Sequence, residues 1–195
     1  MTDQERLLQA FDDWQRSSFR LEALDRYAVD FEREEFEAFL RGEPVPPNPA
    51  EFDDWFEKLR RERAEGRTRS RVHAIAGPLT PYLQYEIAWG YQPNAAAGED
   101  IGIIHCASWE ASPFAAQPPD FYLLDDERVI LLAYDAEGHW LGGEIITDPA
   151  ALADYRALRD VAVKAARPLA AYLAALRRFP VPPLALTGYR EAMTA

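Results

Sequence analysis

The chain has 195 residues, of which 48% are hydrophobic and 28% charged; this is a globular composition that can bury a core of its own and excludes intrinsic disorder. Thirty-three acids against twenty-one bases leave a formal net charge of -12, so the surface repels phosphate and direct nucleic-acid binding is not expected. A single cysteine, Cys106, excludes an internal disulfide framework, neither a signal peptide nor a membrane span is read in the sequence, and a cytoplasmic protein is expected.

Residues 3–16 carry Leu7, Leu8, Phe11 and Trp14 at helical spacing and read as a short amphipathic helix. Residues 19–29 read as an irregular or extended segment. Residues 30–40 form a second helix with Phe31, Phe36, Phe39 and Leu40 on its apolar side; Gly42 closes it and EPVPPNP breaks the chain. A third helix opens with Asn48 as N-cap, Pro49 at the first position and Glu51 in a capping-box pattern. It buries Phe52, Trp55, Phe56 and Leu59 and ends at Gly66.

The period then changes. Residues 69–76 alternate, with Val72, Ala74 and Ala76 on one side and Arg71, His73 and Ile75 on the other, which predicts a strand. Thr80-Pro81 opens a helix running through Tyr91, with Tyr82, Tyr85, Glu86 and Trp89 on one face. QPNAAAGED reads as a turn, in which Asn94 tolerates positive φ and Gly98 breaks the chain before a strand over residues 101–107. Residues 121–125, 128–134 and 139–147 read as a three-stranded meander with Asp126-Glu127 in its first turn. Asp148 caps a helix over residues 149–166, and Pro168 begins a second, alanine-rich helix. The fold expected is α/β (α+β): a mixed sheet of about five strands with packed helices. Its parts are an N-terminal helical arm (1–66), an α/β domain with closing helices (67–178) and a loosely held tail (179–195). The charge is uneven, eighteen acids to ten bases in residues 1–65 but four to seven in 148–195, so the bases Arg156, Arg159, Lys164, Arg167, Arg177 and Arg178 are expected to pair with the chain's own acidic arm.

Three segments carry a resemblance: FRLEALDRY (19–27), YEIAWGYQPNAAAGEDI (85–101) and DFYLLDDERVILLAYDAEGHWLGGEII (120–146). Together they resemble a family of short actinobacterial proteins that share a domain of unknown function, over roughly residues 17–175. Members tend to be encoded among regulatory proteins with helix-turn-helix partners, so the resemblance implies a regulatory accessory role. Gly102 stands where that family often has a basic residue, and any ligand contact made by that residue would be lacking here. A more distant similarity is to phospholipase D-type α/β half-domains, especially the catalytically silent ones used as effector modules. Active members need a histidine, a lysine two residues on and an aspartate five residues after that. Counting back from Asp126 those positions hold Pro119 and Phe121, and from Asp125 they hold Pro118 and Asp120, so the phosphodiesterase chemistry is absent.

No catalytic residue is assigned. His73, His105 and His139 occur without HxH, CxxC or HExxH spacing, so no metal site is expected and they read as strand residues. Cys106 reads as a small core residue. Glycine-rich phosphate loops are absent, and no cofactor is expected. The carboxylate Glu86 stands on an aromatic helix face, where it could serve as an acid/base with a raised pKa or pair with Arg20. The ion pair is expected, because buried polar groups are usually satisfied by partners. The candidate ligand-binding residues are Arg20, Glu22, Tyr85, Glu86, Trp89, Asn94, Glu99 and Asp120. Two functions stand apart: a non-catalytic regulatory or partner-binding protein acting with a helix-turn-helix regulator, and a small-molecule-binding protein or enzyme using a carboxylate in a pocket between arm and sheet. No membrane partner is expected, and self-association as a homodimer stays open.

Overall fold

The computed structural model describes residues 3–44 and 50–176. The expected Asn48-Pro49 start of the third helix and the tail 179–195 lie outside the described residues. The elements are α1 (Asp3–Ala10), β1 (Ser17–Glu22), α2 (Arg33–Leu40, preceded by a 3-10 turn at Asp30–Glu32), α3 (Ala50–Ala64), β2 (Thr68–Ala76) and α4 (Pro81–Tyr85). A π-helical turn (Glu86–Tyr91), α5 (Gln92–Ala97), β3 (Asp100–Cys106), β4 (Phe121–Leu124), β5 (Arg128–Tyr134), β6 (Trp140–Ile146), α6 (Pro149–Ala165), β7 (Arg167–Pro168) and α7 (Leu169–Leu176) complete the order.

The mixed α/β class expected is what is found, with seven strands in place of five in the order β6-β5-β4-β1-β2-β3-β7. The two additional strands have different origins. Ser17–Glu22, read as irregular or extended, is the middle strand, parallel to β2 and antiparallel to β4. Its charged residues at alternate positions disguise a strand whose second face is polar. Arg167–Pro168 adds a two-residue edge beside Gly102 and Ile103. The expected boundary at residue 66 therefore runs between two adjacent strands of one sheet. Parallel β1–β2 and β2–β3 need long crossovers, and α2 with α3, then α4 to α5, supply them.

Period-two alternation divides the sheet. One face is apolar: Phe19, Leu21, Val72, Ala74, Ile104, Phe121, Leu123 and Val129 pack under Leu152 and Ala162 of α6. The other face carries Ile75, Ile101 and Ile103 beneath the aromatic α4–α5 helix and α7. At its far end Leu124 and Ile130 lie against Leu7 and Ala10 of α1 and against Trp14. Phe56 and Leu59 of α3 pack on Ala97 of α5.

Several local devices act as expected. Thr80 Oγ1 accepts a hydrogen bond from Leu83 N at 3.2 Å, and Asp148 Oδ1 accepts from Ala150 N at 3.1 Å and Ala151 N at 2.9 Å. Asp125 and Asp126 take positive φ values of 55° and 63°, the conformation of a tight β4–β5 hairpin turn. There the Asp125 carboxylate accepts from the backbone amides of Gln15, Arg16 and Ser17 at 2.7, 2.6 and 2.8 Å, which fixes the entry of β1. Other readings are corrected. α1 stops at Ala10 instead of continuing to residue 16. QPNAAA is helix α5 and not a turn, with Pro93, which lacks an amide hydrogen, at the joint between π and α registers. Of the C-terminal bases, Arg156 donates to the Asp126 carbonyl at 2.9 Å and Arg159 to its carboxylate at 2.7 Å, so these two anchor α6 to the hairpin and not to an acidic arm.

Gly102 has a packing reason to be glycine. A Cβ there would stand 2.8 Å from Ala166 Cβ, at the close approach of β3 to the α6–β7 junction. Gly102→Ala is expected to lower stability by about 1–3 kcal/mol through overpacking, read as a shift in the urea midpoint with an unchanged slope.

Candidate functional site

On the helix-covered face, strand register assembles a buried polar centre. Arg20 lies opposite Arg71 on β2 and opposite Tyr122 on β4, and Glu22 lies opposite His73. Residues two apart on a strand share a face, so Arg20, Glu22, Arg71 and His73 all point beneath the same helix.

Glu22, 1% exposed, is the hub. Its Oε1 is 3.0 Å from Arg20 Nη2, and its Oε2 accepts from Arg71 Nη1 at 3.2 Å and from the Tyr91 hydroxyl at 2.8 Å. Burial pushes this carboxyl upward, but the two guanidiniums, His73 and the Tyr91 hydrogen bond outweigh it and hold Glu22 at about 2. Arg71 continues to Glu99 Oε1 at 2.8 Å and covers the Tyr91 ring at 5.2 Å. Arg20 donates to Tyr122 Oη at 3.0 Å and lies over the Tyr27 ring at 5.5 Å. Asp120 accepts from Tyr27 Oη at 2.6 Å and from Ala23 N at 3.0 Å.

His73, 0% exposed, joins the centre to the helix above. Its Nε2 is 2.9 Å from the Leu24 carbonyl, which can only accept, so Nε2 carries hydrogen. Its Nδ1 faces Tyr91 Oη at 2.7 Å and Glu86 Oε2 at 3.4 Å. Burial would lower the imidazole pKa, yet the facing Glu86 carboxylate, Glu22 and the Leu24 carbonyl raise it to about 9. The π-helical turn is what brings both Glu86 and Tyr91 to this ring. At about 100° per residue an α-helix would set them about 140° apart, whereas an i→i+5 turn stacks one near the other.

α2 roofs the centre. Phe36 contacts the rings of Tyr82 and Tyr85, with centroids 5.6 and 5.4 Å away, and Phe39 contacts Tyr85 and Trp89 at 5.8 and 5.5 Å. Tyr82 and Tyr85 donate to Glu32 and Glu35 at 2.9 and 3.1 Å. Burial, followed by the charges of Glu86, Glu22 and Glu35, lifts Glu32 to about 7 against the opposing Tyr82 hydrogen bond.

Of the eight sequence candidates, Arg20, Glu22, Glu99 and Asp120 enter this network and Glu86 borders it. Tyr85 and Trp89 belong to the roof. Asn94 stands apart, accepting from Trp55 Nε1 at 3.0 Å to tie α5 to α3. The expected Arg20–Glu86 pair is replaced by Arg20–Glu22 and His73–Glu86, because Glu22 shares Arg20's strand and face while Glu86 descends over β2. Arg71, His73, Tyr27 and Tyr91 were missed, although charges at alternate positions in both RLE and RVH were the available signal. A separate open groove of about 410 Å3 between α3 and α5 is lined by Arg60, Arg63, Ala95, Gly98 and Asp100 and lies apart from the polar centre. Among the described residues two groups could hold a metal ion: Glu22, His73 and Glu86 in the centre, and Asp135, Glu137 and His139 on the β5–β6 hairpin, in each case with donor atoms within 4.8 Å of one another.

Two outcomes follow from this geometry. Arg71→Met leaves Glu22 and Glu99 without their shared cation, and urea unfolding should show a loss of about 3–5 kcal/mol, partly recovered by adding Glu99→Gln. Glu32 binds its proton more tightly folded than unfolded, so its contribution is fully present below about pH 4.5 and lost as pH rises through about 7. Glu32→Gln should therefore match the parent near pH 4.5 and exceed its stability at pH 8 by about 1–3 kcal/mol. Chemical denaturation across that range reads the difference.

None of the curated proteins compared with the chain matches it. A family described as "Domain of unknown function (DUF6879)" matches residues 5–174, a span that contains the whole polar centre and its roof. The chain therefore belongs to the DUF6879 family.

Proposed function

We propose that this protein is a non-catalytic regulatory accessory that acts by binding a protein partner, a basic DNA-binding regulator of the helix-turn-helix type. The observation that carries this reading is the mutual engagement of the central polar groups. Arg20 is committed to Glu22 and Tyr122, Arg71 to Glu22 and Glu99, and Asp120 to Tyr27 and a backbone amide. Groups so paired beneath an aromatic roof serve to fix a fold, and the docking of a protein partner is left to the surface. That surface is acidic, with a net charge of -12 over the chain, and suits a cationic partner through steering and selectivity.

The similarity to silent phospholipase D-type domains expected from the sequence would agree with the same reading. His73, His105 and His139 are followed two residues on by Ile75, Ala107 and Leu141, so the lysine such chemistry requires is missing at each. A cytoplasmic, actinobacterial setting fits it, and no helix among the described residues is long and apolar enough to cross a membrane. A small-molecule site between the N-terminal segment and the sheet draws on Arg20 Nε, Glu86 Oε2, Trp89 Nε1 and Glu99 Oε2, which are shielded and lack hydrogen-bond partners among the described residues. Against it, Phe36 and Phe39 fill the space over Tyr85 and Trp89.

Affinity purification of the tagged full chain from its native host at low salt should recover a basic helix-turn-helix protein encoded nearby, released as ionic strength rises. Recovery of no such regulator even at low salt would overturn the reading.

A further inference from the structure

β1, β2 and the π-helical turn each deliver one metal-ligand atom to the same place, from Glu22, His73 and Glu86, all within 4.8 Å of one another. We propose that these three side chains bind one divalent first-row transition ion, for which Zn2+ is the representative, with the Tyr91 hydroxyl as the fourth donor.

The imidazole is already set for the task. A ligating histidine nearly always donates its other N–H to a carbonyl or carboxylate, which fixes the tautomer and ring orientation. Here the Leu24 carbonyl holds Nε2–H at 2.9 Å, which turns Nδ1 toward Tyr91 Oη and Glu86, and the proton on Nδ1 is the one a metal ion displaces on binding. Spacing agrees as well. Four donors at about 2.1 Å from a tetrahedral ion stand about 3.4 Å from each other. His73 Nδ1 and Glu86 Oε2 are 3.4 Å apart. That separation is long for a well-directed hydrogen bond, and Glu86 Oε2, although shielded from solvent, has no hydrogen-bond partner. The Tyr91 hydroxyl lies between Nδ1 and Glu22 Oε2 at 2.7 and 2.8 Å, hydrogen-bond contacts that open by roughly half an ångström when an ion takes the hydrogen's place.

Charge makes the third argument. Glu22, Glu86, Glu99 and Asp120 face Arg20 and Arg71 in one connected centre. Loss of the Nδ1 proton to the incoming ion makes His73 neutral, and four carboxylates against two guanidiniums then leave two negative charges, which a divalent cation neutralises. Arg20 and Arg71 hold Glu22 in place, and Glu86, with 13% of its side chain exposed, marks the route of entry. The donor set of one imidazole and three oxygens suits Zn2+ or Mn2+ and excludes the soft ions that demand thiolate. The hairpin group Asp135, Glu137 and His139 is a competitor on the surface, where His139 Nδ1 and Asp135 Oδ2 are already paired at 3.0 Å.

The test uses the full chain, stripped with a chelator, dialysed against Zn2+ and washed. Elemental analysis should find one Zn2+ per chain, and titration should show at least a tenfold loss of affinity in His73→Gln and in Glu86→Gln, with His139→Gln unchanged. Retention of no ion above background, or binding that survives both central variants and is lost in His139→Gln, overturns the proposal. Should the central variants fail to fold, the Co2+-loaded parent decides. Its proton spectrum should contain one strongly shifted, solvent-exchangeable imidazole N–H from His73, and absence of that signal also overturns the assignment. The assay needs only the isolated chain, so its result is independent of any protein partner.

Discussion

A carboxylate buried at the middle of a sheet cannot stay charged without cations beside it. Glu22 satisfies that condition through Arg20 on its own strand and Arg71 on the next, with the Tyr91 hydroxyl from above. Isolated buried charge is costly by several kcal/mol, and removing one partner of such a group exposes that cost. The β1–β2 register is thereby specified, since a one-residue slip would turn Glu22 to the apolar side beneath α6 and leave both arginines unpaired. Hydrophobic burial supplies the drive to fold, and this ionic network selects the pairing.

The same constraint shapes the helix above. Regular α geometry would send Glu86 and Tyr91 to different sides, and β2 would be left with a buried imidazole facing rings. The π-helical turn aligns both over His73, and the tyrosines flanking it meet Phe36 and Phe39 of α2. Sheet, helix and roof thus form one stack in which the polar centre is internal. A substrate-sized molecule would have to displace the roof to reach that centre, whereas the ion proposed above is small enough to sit between His73 and Glu86.

Much of the fold was legible. Periodicity located β2, β3, the β4–β6 meander and α6, and the caps Thr80 and Asp148 act as their residue types dictate. β1 was not legible as a strand, because Arg20 and Glu22 interrupt its apolar pattern and their justification lies on other segments. α5 reads as a turn from sequence because Pro93 and Asn94 have turn propensity, which the register shift at the π-turn overrides. Of the site, Arg20, Glu22, Glu86, Glu99 and Asp120 are among the candidates legible in the sequence, Glu86 because it is a carboxylate on an aromatic helix face. His73 and Arg71 were passed over because a strand residue shows its value only when its cross-strand neighbour is known.

The sequence by itself determined the class of fold, the two-faced strands and the presence of more buried carboxylates than an apolar core tolerates unpaired. Only the tertiary structure decided which partner each carboxylate meets, for those partners come from distant segments, 93 residues apart in the case of Tyr27 and Asp120. Local propensity acts over a few residues and carries no information at that range, whereas charge pairing in a desolvated interior depends on distance in space alone.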